Sequence, residues 1–192
     1  MGRKLPKSYY LQTDVVAIAK HLIGKRLCTQ INGVYTSGLI SETEAYAGAT
    51  DKASHAYGNR LTERTKTMFA QGGIAYVYLC YGIHHLFNVV TNIEGIPHAV
   101  LIRAIKPEEG IDLMLERRKF KTQKGLADGP GKMSKALGIS TKHNGLSLLE
   151  NEIWIEETNL EIPDSQIQIG PRIGIDYAEE DKDLPYRFVW KG

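Results

Sequence analysis

Between Thr13 and Arg26 apolar residues recur at Val15, Val16, Ile18, Ala19, Leu22 and Ile23, the spacing of one face of an amphipathic helix. Thr13 or Asp14 can cap its start and Gly24 marks its stop, so a helix over 13–26 is expected. The period then falls to two. Across Leu39 to Tyr46, strict alternation predicts a strand with Ile40, Glu42, Glu44 and Tyr46 on one face and Leu39, Ser41, Thr43 and Ala45 on the other. Asp51 to Phe69 is polar and rich in Thr and Arg, which reads as a long binding loop or a set of short helices.

Two β-rich runs follow, "AYVYLC" and "HLFNVVTN", joined through Tyr81 and Gly82, and predict a hairpin with Tyr81 at or near its tip. "HAVLIRAI" is a further strand carrying Arg103 in an otherwise apolar run. A helix is expected from Pro107, with Glu108 and Glu109 in its first turn and Arg117 to Lys119 in its last. "GPGKMSKALG" predicts a Gly-rich turn opening a short helix that ends at Gly138, and strands are expected at 152–156, 167–175 and 186–190. Strands and helices mix without the alternation of a parallel sheet, so the predicted class is α+β.

Composition narrows this picture. A chain of 192 residues, 42% hydrophobic, fills one core and is short for two, and no linker or repeat divides it, so one domain over 1–192 is expected. No apolar run of about 18 residues is present to span a bilayer, and the basic N-terminus lacks the apolar stretch of a signal peptide. The expectation is a soluble, cytoplasmic protein without membrane association. Cys28 and Cys80 lie apart with no ligand spacing around them, which leaves neither a zinc site nor a disulfide framework and casts both as small core residues. No metal and no cofactor is expected.

Charge adds a direction. Arg117 to Lys142 holds eight basic residues against Asp128, whereas Glu150 to Asp183 holds eleven acids against Arg172 and Lys182. One positive surface for a polyanion and a separate acidic one fit that asymmetry.

Several residues could carry chemistry. Glu42 or Glu44 could act as a general base, and an arginine in an apolar strand costs desolvation unless a carboxylate or phosphate meets it, so Arg103 implies a partner. Tyr46, Tyr76, Tyr78 and Tyr81 could build a slot for a planar ligand. A tyrosine at a hairpin tip has little core to join, so insertion of Tyr81 between base steps is a serious reading. The turn around Lys132 and Lys135 suits a phosphate but lacks P-loop spacing. A glycoside hydrolase using the Glu42/Glu44 pair, at the roughly 6–7 Å of alternate strand positions, and a non-catalytic nucleic-acid binder are the rival readings.

The motifs "SETEAYAG…DKASHA", "MFAQGGIAYVYLCYGIHHLFNVVTN", "HAVLIRAIKP", "GPGKMSKALGI" and "PRIGI…PYRFV" occur in the order and spacing of the alkyladenine (3-methyladenine) DNA glycosylase family, which this chain resembles over most of its length. The resemblance implies a single mixed domain with a curved, largely antiparallel sheet flanked by helices and a protruding hairpin that enters the minor groove. It further implies a monomeric, monofunctional enzyme without lyase activity that acts on double-stranded DNA containing a damaged purine. By that resemblance Glu44 activates the attacking water, and Arg103 holds it together with a backbone carbonyl within 172–175. Tyr46, His55 and Tyr78 wall the base pocket, Asn88 polices the exocyclic group of guanine, and Tyr81 fills the gap in the duplex. Arg60, Arg64, Lys66, Lys132 and Lys135 are expected to contact phosphates. Ile83, His84 and His85 depart from familiar relatives at the hairpin tip.

Overall fold

A computed structural model describes residues 2–192. Short helix α1 (Lys7–Tyr10) and helix α2 (Val15–His21) precede strands β1 (Arg26–Ile31) and β2 (Val34–Tyr46). After an irregular segment with three single 3-10 turns come β3 (Ala75–Cys80), β4 (His84–Thr91) and β5 (His98–Glu109). Helices α3 (Ile111–Arg118) and α4 (Pro130–Leu137) lead to β6 (Ile153–Glu156), β7 (Ile167–Gly170) and β8 (Arg187–Trp190). The fold is α+β, built on one curled sheet in the order β3-β4-β5-β2-β1-β6, with β8 joining β2 to β7. Every strand pair is antiparallel. No helix among the described residues is long and apolar enough to cross a membrane.

The thirteen-residue β2 is the axis of the sheet. One edge pairs with β5 along most of its length; the other pairs with β1 as far as Leu39 and then with β8 from Glu42. Two complementary bulges sit where the partner changes. Ile40 faces Ile105, Glu42 faces Ala104 and Thr43 faces Ile102, so Ser41 on β2 and Arg103 on β5 are each an extra residue. An extra residue in a strand reverses the in/out alternation beyond it. Ile40 therefore joins Ala45, Ile102 and Ile105 in the main core, and does not share a face with Glu42, Glu44 and Tyr46 as strict alternation predicted.

The main core lies between the sheet and α2, α3 and α4, and takes Val77, Phe87, Val89, Val100 and Ile102 from successive strands. The opposite face carries two smaller clusters. Ala56, Met68, Tyr76, Val90 and Ala99 form one, and Ala53, Ile175 and Ala178 packed with Tyr46 form the other. The irregular segments 47–70 and 171–184 cover that face only in part, and a cavity opens beside them.

Other boundaries shift for local reasons. Helix α2 ends at His21, well short of Arg26. Asp14 caps it, accepting from Val16 N and Ala17 N at 3.0 and 2.9 Å, while Gly24 takes φ +82° and donates to Ile40 O. The chain is thereby turned into β1, a strand the apolar pattern did not reveal, and β2 begins at Val34, five residues before the expected start. Pro107 and both glutamates lie in β5, because β4 pairs with β5 only to Leu101 and leaves a free edge where the missing proline N–H costs nothing. Gly110 at φ +73° turns the chain into α3; a Cβ there would stand 2.7 Å from Tyr35 O. The strand expected over 167–175 stops at Gly170, before Pro171. Cys28 is buried, but Cys80 is half-buried and lines the cavity, so it is no core residue.

Leu22 is fully buried between α2 and the sheet. Leu22→Ala is expected to lower unfolding free energy by about 2–5 kcal/mol in urea titrations; a loss under about 1 kcal/mol would mean that α2 is not part of this core.

Candidate active site

The second glutamate of the strand is the most enclosed carboxylate in the site. Glu44 has no solvent exposure, and a carboxylate placed there uncompensated would cost several kcal/mol. Its partners supply the compensation. Oε1 accepts the Ile173 backbone N–H at 2.8 Å, and Oε2 accepts the Tyr46 hydroxyl at 2.9 Å and Arg103 Nη1 at 3.2 Å. Three bonds leave about one of its four lone-pair positions open. Burial, then the neighbouring Glu44 charge, pushes the Tyr46 phenol well above its ordinary pKa, so it stays a donor.

Arg103, projecting from its bulge, bridges the two glutamates. Its Nε donates to Glu42 Oε1 at 2.7 Å, and the same oxygen accepts Arg187 Nε at 2.7 Å from β8. Burial works against the Arg103 charge, but Glu44 and Glu42 outweigh it and raise its pKa. Glu42 is thus committed to two arginines and serves as their anchor.

Beside this network lies a cavity of about 690 Å³. Tyr46, His55, Tyr78, Asn88, Arg103 and Ile173 all line it, while Glu44 sits behind Tyr46, Arg103 and Ile173. The volume and the aromatic walls suit a planar heterocycle. His55 meets Tyr78 edge-on at 4.7 Å between centroids, and Tyr76 lies beside Tyr78 at 5.4 Å. Asn88, buried, donates Nδ2 to Tyr76 O at 3.0 Å, and its Oδ1 takes no protein donor among the described residues.

The imidazole of His55 has a defined proton arrangement. Arg64 Nη2 stands 3.3 Å from Nε2, and because arginine only donates, Nε2 must accept and Nδ1–H donates to the Tyr76 hydroxyl at 3.1 Å. Burial, with Arg64 next, pushes the His55 pKa down to about 4. His55 is neutral at pH 7.

Tyr81 occupies the hairpin tip and is 90% exposed. A turn closed by Ile83 N to Cys80 O at 3.2 Å puts Tyr81 at φ +51° and Gly82 at +72°. The left-handed conformation suits Gly82 but costs a tyrosine roughly 1–2 kcal/mol. An aromatic ring is held away from the protein at that cost. His84 packs against Gly131, where a Cβ would lie 2.9 Å from the imidazole, so this glycine lets the start of α4 approach the hairpin. His85 Nδ1 accepts Thr141 N at 3.2 Å.

The basic residues divide. Arg60, Lys66, Lys132 and Lys135 are exposed, with Lys66 paired to Glu63 and Lys132 to Asp128. Arg64 stacks over Tyr78 at 4.9 Å and belongs to the cavity rim. Arg117 and Arg118 turn inward, donating to Ala136 O and Leu126 O, and so add less to a positive surface than the sequence count implied.

Sequence reasoning missed the side chain of Arg172, which is buried and donates through Nη1 and Nη2 to the two oxygens of Asp51 at 2.5 and 2.8 Å. It also missed Asp51 itself and Arg187. Only Arg172 offered a signal, as one of the two basic residues within an acidic stretch.

Residues 9–192 match the family model described as methylpurine-DNA glycosylase (MPG). A Chlamydia felis protein named "Putative 3-methyladenine DNA glycosylase" is 51% identical over 187 residues, covering 96% of this chain and 95% of its own. A Bacillus cereus protein of the same name is 47% identical over 196 residues, covering 97% and 95% respectively. At that identity and coverage, with the acidic strand, the arginine and the tyrosine hairpin all falling inside the match, the chain belongs to the methylpurine-DNA glycosylase family.

Proposed function

We propose that this protein is a monofunctional 3-methyladenine DNA glycosylase that hydrolyses the N-glycosidic bond of damaged purines in duplex DNA. The observation that carries the reading is the buried Glu44 carboxylate, oriented by Arg103, Tyr46 and Ile173 N behind a cavity walled by aromatic rings. Tyr81 enters the duplex and occupies the gap left by the extruded nucleotide, offsetting part of an extrusion cost of a few kcal/mol. The base then stacks on Tyr46 and Tyr78, worth about 1–3 kcal/mol by analogy with single-strand platforms.

In the reaction, Glu44 accepts a proton from a water at its open lone-pair position as the water oxygen bonds to C1′. The C1′–N bond breaks, and the base leaves with its electron pair. Arg103 compensates the carboxylate before and during the transfer. N3- and N7-alkylated purines carry positive charge and depart as neutral bases, whereas hypoxanthine and ethenoadenine depend more on the site. Asn88 Oδ1, an acceptor facing the cavity, reads the exocyclic group of the purine. No lysine lines the cavity near Glu44 to form a Schiff base with the sugar, so base release proceeds without strand cleavage; Lys132, the one lysine of the lining, is paired with Asp128.

Glu44→Gln keeps the shape but cannot take the proton. It should reduce single-turnover release of hypoxanthine or 3-methyladenine from a duplex by at least about 10²-fold while duplex affinity survives; excision at the wild-type rate would rule Glu44 out as the base. Exposed Lys135 has no ion-pair partner among the described residues, and Lys135→Ala should flatten the plot of log K against log salt by about 0.9 for one lost phosphate contact. An unchanged slope would remove it from the DNA face.

His55 yields a pH prediction. Its folded pKa of about 4 lies below the unfolded value, so between those values the unfolded chain binds more protons and stability falls as pH drops from about 6.5 toward 4. The stability difference between wild type and His55→Gln should therefore shrink across that window, by on the order of 1–3 kcal/mol at most. A pH-independent difference in chemical denaturation would contradict a neutral, half-buried imidazole.

A further inference from the structure

The guanidinium of Arg172 is fully buried, although neither the base nor the reacting sugar is read through it in the mechanism above. Its contacts gather behind the Tyr46 side of the cavity. Nη1 donates to Ala45 O at 2.9 Å, on the strand between Glu44 and Tyr46, and to Asp51 Oδ2 at 2.5 Å. Nη2 donates to Asp51 Oδ1 at 2.8 Å and to Asp181 O at 3.2 Å. Asp51 in turn accepts Ala47 N through Oδ2 and Ala53 N through Oδ1, each at 3.0 Å, which fixes the chain as it leaves β2 and heads for His55. The residue after Arg172 supplies the N–H that orients Glu44.

The same guanidinium lies 4.8 Å from the Tyr46 ring and 5.2 Å from the Tyr186 ring. A planar cation against a ring face fixes the plane of that ring and draws on its π density. Lysine would keep the charge but could supply neither the fork to Asp51 nor the stacking plane.

We propose that Arg172 is a positioning residue for base excision: clamped by Asp51 and stacked on Tyr46, it sets the plane of the base-stacking wall and the Ile173 amide that aims Glu44. Burial opposes its charge, and Asp51 more than compensates. One side chain thereby couples three segments, 44–47, 51–55 and 172–175, that share no continuous secondary structure. The inference rests on the glycosylase reading and adds to it a residue that acts on the slot from behind.

The test compares wild type, Arg172→Lys and Asp51→Asn on a duplex carrying a fluorescent ethenoadenine, with unfolding midpoints measured for each. At saturating enzyme, Arg172→Lys is expected to slow single-turnover base release by about 10²-fold and to diminish the fluorescence change that accompanies stacking of the extruded base, with duplex Kd within about threefold. Asp51→Asn loosens the clamp while keeping a polar group of the same shape, and should show the same pattern to a lesser degree. Rates and fluorescence within about twofold of wild type in the folded variants, whatever the unfolding midpoint, would overturn the proposal and leave Arg172 a stability residue. If Arg172→Lys fails to fold, the Asp51→Asn result decides. Wild type that releases no base in the same assay would overturn the glycosylase reading itself, which keeps the two failures distinct.

Discussion

Two extra residues, Ser41 in β2 and Arg103 in β5, are the constraint on which the arrangement depends. Without them, Ile40 and Ile105 would turn to the face that carries Glu44, and the aliphatic side chains would crowd the cavity. With them, Ile40 and Ile105 join the helix-covered core while Tyr46, Leu101 and Arg103 line the cavity. Arg103 keeps the alternation of Ala99 and Leu101, which line the cavity with it, and reaches Glu42 and Glu44 from there.

Electrostatics close around this geometry. Glu42, Glu44 and Asp51 meet Arg103, Arg187 and Arg172, three acids against three arginines, so the cluster is neutral overall. Buried ion pairs seldom stabilise a fold more than apolar packing would, while breaking one strands an uncompensated charge at about 3–5 kcal/mol. Such a network is better understood as serving the orientation of Glu44 than the stability of the domain. The irregular segments that cover the cavity, 47–70 and 171–184, are tied to the sheet by these same polar contacts, since their apolar clusters are small.

Much of this was legible in the sequence, and unevenly so. The α+β class, the tyrosine-tipped hairpin and the short helix ending at Gly138 followed from local rules, because periodicity and turn residues decide them over a few positions. The bulges left a trace that alternation alone overrode: Ile102 and Ile105 are both core, three residues apart, around an arginine. Strand β1 escaped because Leu27, Cys28 and Thr29 are buried in succession and show no alternation, and Pro107 misled because a proline followed by glutamates signals a helix start except at a free sheet edge. In the site, Tyr46, His55, Tyr78, Asn88 and Arg103 line one cavity and Glu44 lies buried behind it. The Asp51–Arg172 clamp did not emerge, since its partners are far apart in the chain and only tertiary structure pairs them.

The central claim is that an oriented, buried Glu44 serves to release a purine from DNA. Its most direct test is a single-turnover assay of the wild-type protein on duplexes each bearing one 3-methyladenine, 7-methylguanine, hypoxanthine or ethenoadenine, with freed base and strand integrity both measured. Release of the free base is expected, with an abasic strand that stays intact until treated with alkali. Absence of base release from every duplex, or strand scission concurrent with release, would contradict it.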